Sequence, residues 1–278
     1  MHRHPPFAYV EASRPPWHEN VGPTFTRTRK PDWKPGAGAN DRSFDDKQHV
    51  EIDPYAPGRS SGLNYKLLIS AIVPRPIGFM STISKDGTIT NLSPFSFFQM
   101  VSFDPPLFVF GIVGNKIGTQ ADQPGTKDSL RNVLDTKECV INIISEHFLE
   151  AANFTCINAP YGVSEFAVSG LHQAPSAVVK PPRVKEAVFS IEAKLVEKRE
   201  YQSKIDPSHT TATMLVVEGV RFWAREDAVD KEGSIIDLDK LRPISRLGGI
   251  TYARVTELIE LPRPEWESLC EGETDNKY

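Results

Sequence analysis

Two short stretches carry the residues whose types and spacing could do chemistry. The first is "IVPRPIGFMSTISKDGTITNLSPFSFF", residues 72–98. Between apolar side chains it sets Ser81 and Thr82 on one arm of a hairpin, and Asn91, Ser93 and Ser96 on the other. The second is "TKDSLRNVL", residues 126–134, with Lys127, Asp128 and Ser129 where a helix begins. A helix start presents unpaired N–H groups and the positive end of a dipole, which suits an anion such as a phosphate. Lys127 adds a full charge and Ser129 a hydroxyl donor. The alternative for this stretch is ordinary capping by Thr126 or Asp128.

The hairpin offers what a flat heteroaromatic needs. An isoalloxazine ring has apolar faces and a rim of carbonyls and ring nitrogens. Ile77, Phe79 and Phe95 are placed to wall its faces, and the five hydroxyl and amide side chains, with backbone N–H groups, to meet its rim. Any one of those side chains could instead bond its own backbone. That reading is less comfortable for five of them beside one turn.

Other chemistries lack their residues. There is no G-x-G-x-x-G, and the glycine-rich run 111–127 does not have the order of a phosphate-cradling P-loop. None of the seven histidines stands in H-E-x-x-H, and no Cys/His clustering marks a zinc site, so no metal is expected. No residue stands out as a general acid, base or nucleophile, which leaves the catalytic residues unassigned and favours chemistry carried by a cofactor. His147, His172 and His209 could each donate to such a cofactor or sit in surface loops.

The elements that must position these residues are mostly strands. "PIGFMSTIS" and "TITNLS" flank Asp86-Gly87, a strong hairpin signal. "LFVFGIV", "ECVINIIS", "AVFSIEAKLVEK" and "TMLVVEGVRFWA" read as further strands, the third half-buried because Phe189, Ile191, Ala193 and Leu195 alternate with polar residues. "ITYARVTELIEL" reads as a last strand. Short helices are expected at "YKLLISAI", at "KDSLRNVLDTK", where Leu130, Val133 and Leu134 have helical spacing, and at "EHFLEAANF", capped by Ser145. Strands in this number with few helices between them imply a closed antiparallel barrel, which removes exposed edges.

Residues 1–60 read as an extended, Pro-rich arm, 61–262 as the domain, and 263–278 as a polar tail. The arm shows neither helical nor strand periodicity, although Trp17, Phe25 and Trp33 could anchor it. With 36 acidic and 32 basic residues, the net charge of -4 speaks against a nucleic-acid partner. No apolar run is long enough for a membrane span. The scattered Cys139, Cys156 and Cys270 suggest reduced thiols and a cytoplasmic setting.

Taken together, 74–112, 127–143 ("KDSLRNVLDTKECVINI") and 241–255 ("LRPISRLGGITYARV") resemble the flavin reductase-like FMN-binding split-barrel family, over roughly residues 63–260. The N-terminal wording is similar to the extension of fungal members. The resemblance implies a mainly β fold with short helices: a six-stranded antiparallel split β-barrel, FMN-binding type. It implies a homodimer with FMN near the subunit interface. Ser81, Thr82, Asn91, Ser93 and Ser96 would line the flavin, and Lys127, Asp128 and Ser129 the phosphate. Ser at 129, where Thr is common, keeps the hydroxyl, and the loop 114–126 looks longer than usual. The implied activity is NAD(P)H-dependent hydride transfer to FMN and on to an unassigned acceptor. The alternatives are a flavin-binding electron-transfer protein without strong NAD(P)H turnover, and a split-barrel oxidase of a small substrate.

Overall fold

A computed structural model describes residues 6–19, 21–114 and 127–266. It divides into two compact units, Met1–Asp45 with Thr256–Tyr278, and Asp46–Val255. In chain order the elements begin with helix α1 (Phe7–Ala12), strand β1 (Thr24–Thr26) and helix α2 (Ser61–Ala71). Strands β2 (Gly78–Ile83), β3 (Thr90–Phe95), β4 (Phe98–Phe103) and β5 (Pro106–Val113) follow, then helix α3 (Asp128–Thr136) and strand β6 (Glu138–Ile143). A 3₁₀ turn (Glu146–Phe148) leads into helices α4 (Leu149–Phe154) and α5 (Glu165–Ser169), and strands β7 (Gln173–Ala174) and β8 (Arg183–Val184). The long strands β9 (Phe189–Gln202) and β10 (Thr210–Ala224), helix α6 (Leu238–Leu241) and strands β11 (Ile244–Arg246), β12 (Tyr252–Arg254) and β13 (Glu257–Ile259) complete the chain.

The first unit contains α1 and a parallel pairing of β1 with β13, Phe25 opposite Leu258. The density of Pro and Gly in the arm hid both elements. The expected last strand is two, β12 pairing with β11 and β13 with β1.

The second unit is built on one antiparallel sheet in the order β3-β2-β6-β9-β10-β5-β4. Its two edge strands are consecutive in sequence and separated by Ser96 and Phe97 alone. Phe95 pairs with Gly78 on β2, while Phe98, three residues on, pairs with Phe110 on β5. A sheet whose opposite edges are joined by two residues must roll until those edges meet, which makes it a barrel. The ladder counts seven strands where six were expected, because one bent run, residues 90–103, supplies both edges. The hydrogen-bonded ladder stays open at that bend, and the barrel is split there.

Two apolar clusters lie on the two sides of the wall. Met80, Phe95, Phe98, Phe110, Ile141, Ile191 and Leu215 form one, with Leu130 and Val133 of α3 packed in. Phe98 and Phe110 lie tilted to one another at 4.7 Å between centroids, and Phe95 meets Phe110 edge-on at 6.1 Å. Ile77, Phe79, Leu92, Ile144 and Phe148 form the other, under Ala152 of α4 and Phe166 of α5.

Two local expectations are corrected. Strand β9 is buried on both faces at its start, because Ser190 and Glu192 are as inaccessible as Ile191 and Ala193. The segment 175–184 covers that polar face. Glu192 accepts the N–H groups of Ala177, Val178 and Val179 and the indole N–H of Trp223, and Asn142 Oδ1 accepts from Val184 N and Ser190 Oγ. Ser145 does precede the 3₁₀ turn, but its hydroxyl makes no capping bond.

Candidate functional site

The site is assembled by the way α3 is pinned to the β2–β3 hairpin. At the turn, Gly87 adopts a positive φ of 79°, and Asp86 accepts from the Ser84 and Thr88 hydroxyls. Those bonds hold the Asp86 carboxyl below its ordinary range. On the arms, Thr82 and Asn91 stand opposite one another. Asn132 Nδ2 donates to Thr82 Oγ1 at 3.0 Å, and Asn91 Nδ2 donates to Ser129 Oγ at 2.8 Å. Ser129 and Asn132 are three residues apart on α3, so both bonds act on one face of the helix. They fix its roll and set its first turn against the barrel's bend.

A cavity of about 520 Å³ opens at that place. The bend supplies Pro94, Phe95, Ser96 and Phe97 to its wall, the end of β5 supplies Gly111, Val113 and Gly114, and Lys127 enters from the start of α3. Tyr65 of α2 and Cys156 and Asn158, just after α4, complete the wall. Lys127 Nζ lies 5.8 Å from the centroid of the Phe95 ring, a cation held over an aromatic face. The Gly111 N–H donates to Phe97 O at 2.7 Å. A Cβ on Gly111 would lie only 3.2 Å from Phe97 Cβ, so the bend can lie this close to β5 because position 111 has no side chain.

The charge around this cavity is positive. Burial raises the Cys156 thiol above its ordinary pKa, but Arg246 and Lys127 both act in the opposite sense. The Asp128 carboxyl is also raised, by burial first, with Arg131 only partly opposing it at 4.0 Å. Lys127 is the one charged side chain among the described residues of the cavity wall, a cation suited to an anion.

Of the eight residues proposed from sequence, Ser96 and Lys127 are on the cavity wall. Thr82, Asn91 and Ser129 are the buried pins described above. Ser81 is fully buried and donates to the carbonyl of Pro182. Ser93 is half-buried opposite Met80, and Asp128 opens α3. Ile77 and Phe79, expected as walls with Phe95, face the second core, because β2 is paired on both sides and covered on both faces. Arg75, a conceivable anion anchor beside the hairpin, is engaged elsewhere. Its guanidinium donates to the carbonyls of Ile69, Ile72 and Leu247, closing the end of α2.

None of the three histidines lines the cavity. His147 and His172 both bond Glu186, and His209 lies in the turn between β9 and β10. Among the described residues, no three His, Cys, Asp or Glu side chains come together as metal ligands. Of the loop 114–126, residues 115–126 lie outside the described residues. Sequence reasoning missed Tyr65, Phe97, Gly111, Cys156 and Asn158. Only Gly111, a glycine inside an apolar strand, carried a signal, since such a glycine marks close backbone approach.

The family model described as "Flavin reductase like domain" matches residues 70–241. An uncharacterised protein of Aquifex aeolicus is 40% identical over 191 residues, covering 68% of this chain and 89% of the relative. Among solved structures, nitrilotriacetate monooxygenase component B from Bacillus cereus superimposes with a TM-score of 0.67 at 31% identity, covering 77% of this chain and 100% of that one. The 2-nitrobenzoate 2-nitroreductase NbaA of Pseudomonas fluorescens gives a TM-score of 0.66 at 26% identity, covering 79% and 98%. The matched region contains the bend, the pinned hairpin and the cavity wall from Pro94 to Asn158, and the chain belongs to the flavin reductase-like family.

Proposed function

We propose that the protein is an FMN-binding oxidoreductase that takes a hydride from NAD(P)H and passes electrons to a further acceptor. The observation that carries this reading is the union, in one cavity, of apolar faces (Phe95, Phe97, Val113), a hydroxyl at a rim position (Ser96) and a cation at a helix start (Lys127). This donor set fits a mononucleotide flavin, and about 520 Å³ is within the usual range of small-molecule sites, roughly 300–1,000 Å³. Lys127 and the first N–H groups of α3 would hold the phosphate, and Ser96 and backbone groups of the bend the ring's polar edge. Bound there, the isoalloxazine would supply the redox chemistry, accepting a hydride from a reduced nicotinamide.

The chain's own part is positioning. The Asn91–Ser129 and Asn132–Thr82 bonds hold α3 so that Lys127 stays at the bend. Phe95 and Phe97 exclude water from one side of the site. In this reading Ser81, Thr82, Asn91, Ser93, Asp128 and Ser129 act chiefly by shaping the cavity, while Ser96 and Lys127 touch the cofactor.

A homodimer completes the proposal. Strand β4, continuous with the bend, leaves Met100 and Val101 each 56% exposed and Phe103 89% exposed on an edge strand. Apolar edges of this kind are normally covered. A second copy, related by two-fold symmetry, would cover it and close the cavity's open side. Light scattering on the FMN-loaded protein should give twice the mass of 31.0 kDa, and a monomer with bound FMN would contradict the dimer.

The activity is tested by adding NADH or NADPH to the flavin-loaded protein without air. Rapid bleaching of the flavin band is expected with one of them. A yellow protein that neither nucleotide bleaches, but dithionite does, would mark an electron carrier or an oxidase of another substrate instead.

A further inference from the structure

We propose that Arg131 and Tyr161 form an adenylate subsite one turn of α3 beyond Lys127, one that takes an adenine ring and a phosphate. Arg131 lies one turn along α3 from Lys127, its N–H bonded to the Lys127 carbonyl at 3.0 Å. Tyr161 is three residues beyond Asn158, which is on the wall. The two meet with the guanidinium carbon 4.4 Å from the ring centroid. Tyr161 stays 48% exposed. A nucleobase stacks on such a ring, and the adjacent guanidinium supplies in-plane donors suited to a phosphate.

Two features separate this pair from the other arginine–aromatic contacts. Its acidic neighbour among the described residues is Asp128 at 4.0 Å, beyond hydrogen-bond length, so the guanidinium keeps donors for a ligand. The other pairs of the same unit are committed or distant. Arg246 over Tyr252 donates to the Gly249 carbonyl, and the Tyr252 hydroxyl donates to Asn153. Arg183 over Trp223 donates to the Pro175 carbonyl. Arg199 and Tyr201 lie on β9, which contributes nothing to the cavity wall.

The adenylate could belong to the flavin, as in FAD, or to the nicotinamide donor, because both carry the same group. The assignment deepens the flavin reading, but its first test does not depend on it. The full-length protein, freed of bound nucleotide, is titrated with 5′-AMP and with adenosine by saturation-transfer NMR. AMP should bind more tightly than adenosine. Tyr161→Ala should weaken AMP by about tenfold or more, the scale of a lost base stack, whereas Tyr161→Phe should retain it. Arg131→Ala should reduce AMP to the level of adenosine. Loss of FAD but not FMN affinity in Tyr161→Ala would then place the group on the flavin. Loss of NADPH affinity in the FMN-loaded variant would place it on the donor. If AMP fails to bind the unmodified protein, or Tyr161→Ala binds AMP, FAD and NADPH unchanged, the subsite is wrong. If the protein binds no flavin yet loses AMP on Tyr161→Ala, the subsite stands and the flavin reading falls.

Discussion

The Lys127 ammonium lies 5.8 Å from the centroid of the Phe95 ring, where the start of a helix meets the bend of the barrel. A cation and an apolar wall are thus brought to one cavity by residues 32 apart in the chain. Two side-chain bonds, Asn91 to Ser129 and Asn132 to Thr82, keep them there.

Cys156 provides a chemical probe of that cavity. It lines the wall, whereas Cys139 is fully buried, its thiol pushed up to about 12 by burial and by Glu138. A maleimide should therefore modify Cys156 and not Cys139, and the modified protein should no longer take up flavin. Prior loading with FMN should slow the modification severalfold. Peptide mass mapping reads both, and equal modification with and without FMN would separate Cys156 from the flavin site.

Removing a pin should loosen the site without touching its wall. Asn91→Ala removes the bond to Ser129 and leaves the Asn132–Thr82 bond as the remaining side-chain pin of α3 to the hairpin. A lost buried hydrogen bond typically costs about 1–3 kcal/mol when one partner is left unsatisfied. FMN and riboflavin should both weaken, and the urea midpoint should fall. An unchanged midpoint would show that the bond does not hold the helix.

Much of this arrangement was legible in the sequence. The apolar run of β5, the Asp86-Gly87 turn between β2 and β3 and the helical spacing of Leu130, Val133 and Leu134 each follow from local pattern, and the elements form there. The roles of the hairpin hydroxyls were not legible. Thr82 and Ser96 look alike as small polar residues among apolar ones, yet one meets α3 and the other the cavity, which depends on the bend at Ser96-Phe97. Nor could the residues announce Glu192 as buried, since its donors come from a segment whose return over β9 is a tertiary event. Cys156 and Asn158 reach the wall through a loop with no periodicity at all.

Glu165 and Glu192 should give stability opposite dependences on pH. Burial raises the Glu165 carboxyl above its ordinary range, although it accepts the Leu92 N–H. Its ionised form is disfavoured in the folded state, so its contribution is greatest below the unfolded pKa and is lost as pH rises through the folded one. Glu165→Gln keeps an acceptor for Leu92 and removes the charge near Asp128. Its Tm at pH 7 should rise by a few degrees and vary less between pH 4 and 7, and a lower Tm with an unchanged slope would contradict this.

Glu192 is the converse case. Burial raises it, but the N–H groups of Ala177, Val178 and Val179 and the Trp223 indole outweigh that and hold it below its ordinary range. It stabilises the fold above the unfolded pKa, and that stability is lost as pH falls through the folded one. Glu192→Gln turns one acceptor into a donor that faces other donors. A loss of about 2 kcal/mol or more in urea unfolding at pH 7 is expected, on the scale of bonds to a charged group. Stability unchanged at pH 7 would exclude the anchoring role of Glu192.

The most direct test of the flavin site compares FMN with riboflavin on the unmodified protein and on Lys127→Ala. A charge-assisted contact contributes about 1.5–3 kcal/mol, so the substitution should weaken FMN by roughly ten- to a hundredfold. Riboflavin, which has no phosphate, should bind both proteins alike. Fluorescence titration gives all four constants, and equal weakening of both ligands, or of neither, would contradict the placement of the phosphate at Lys127.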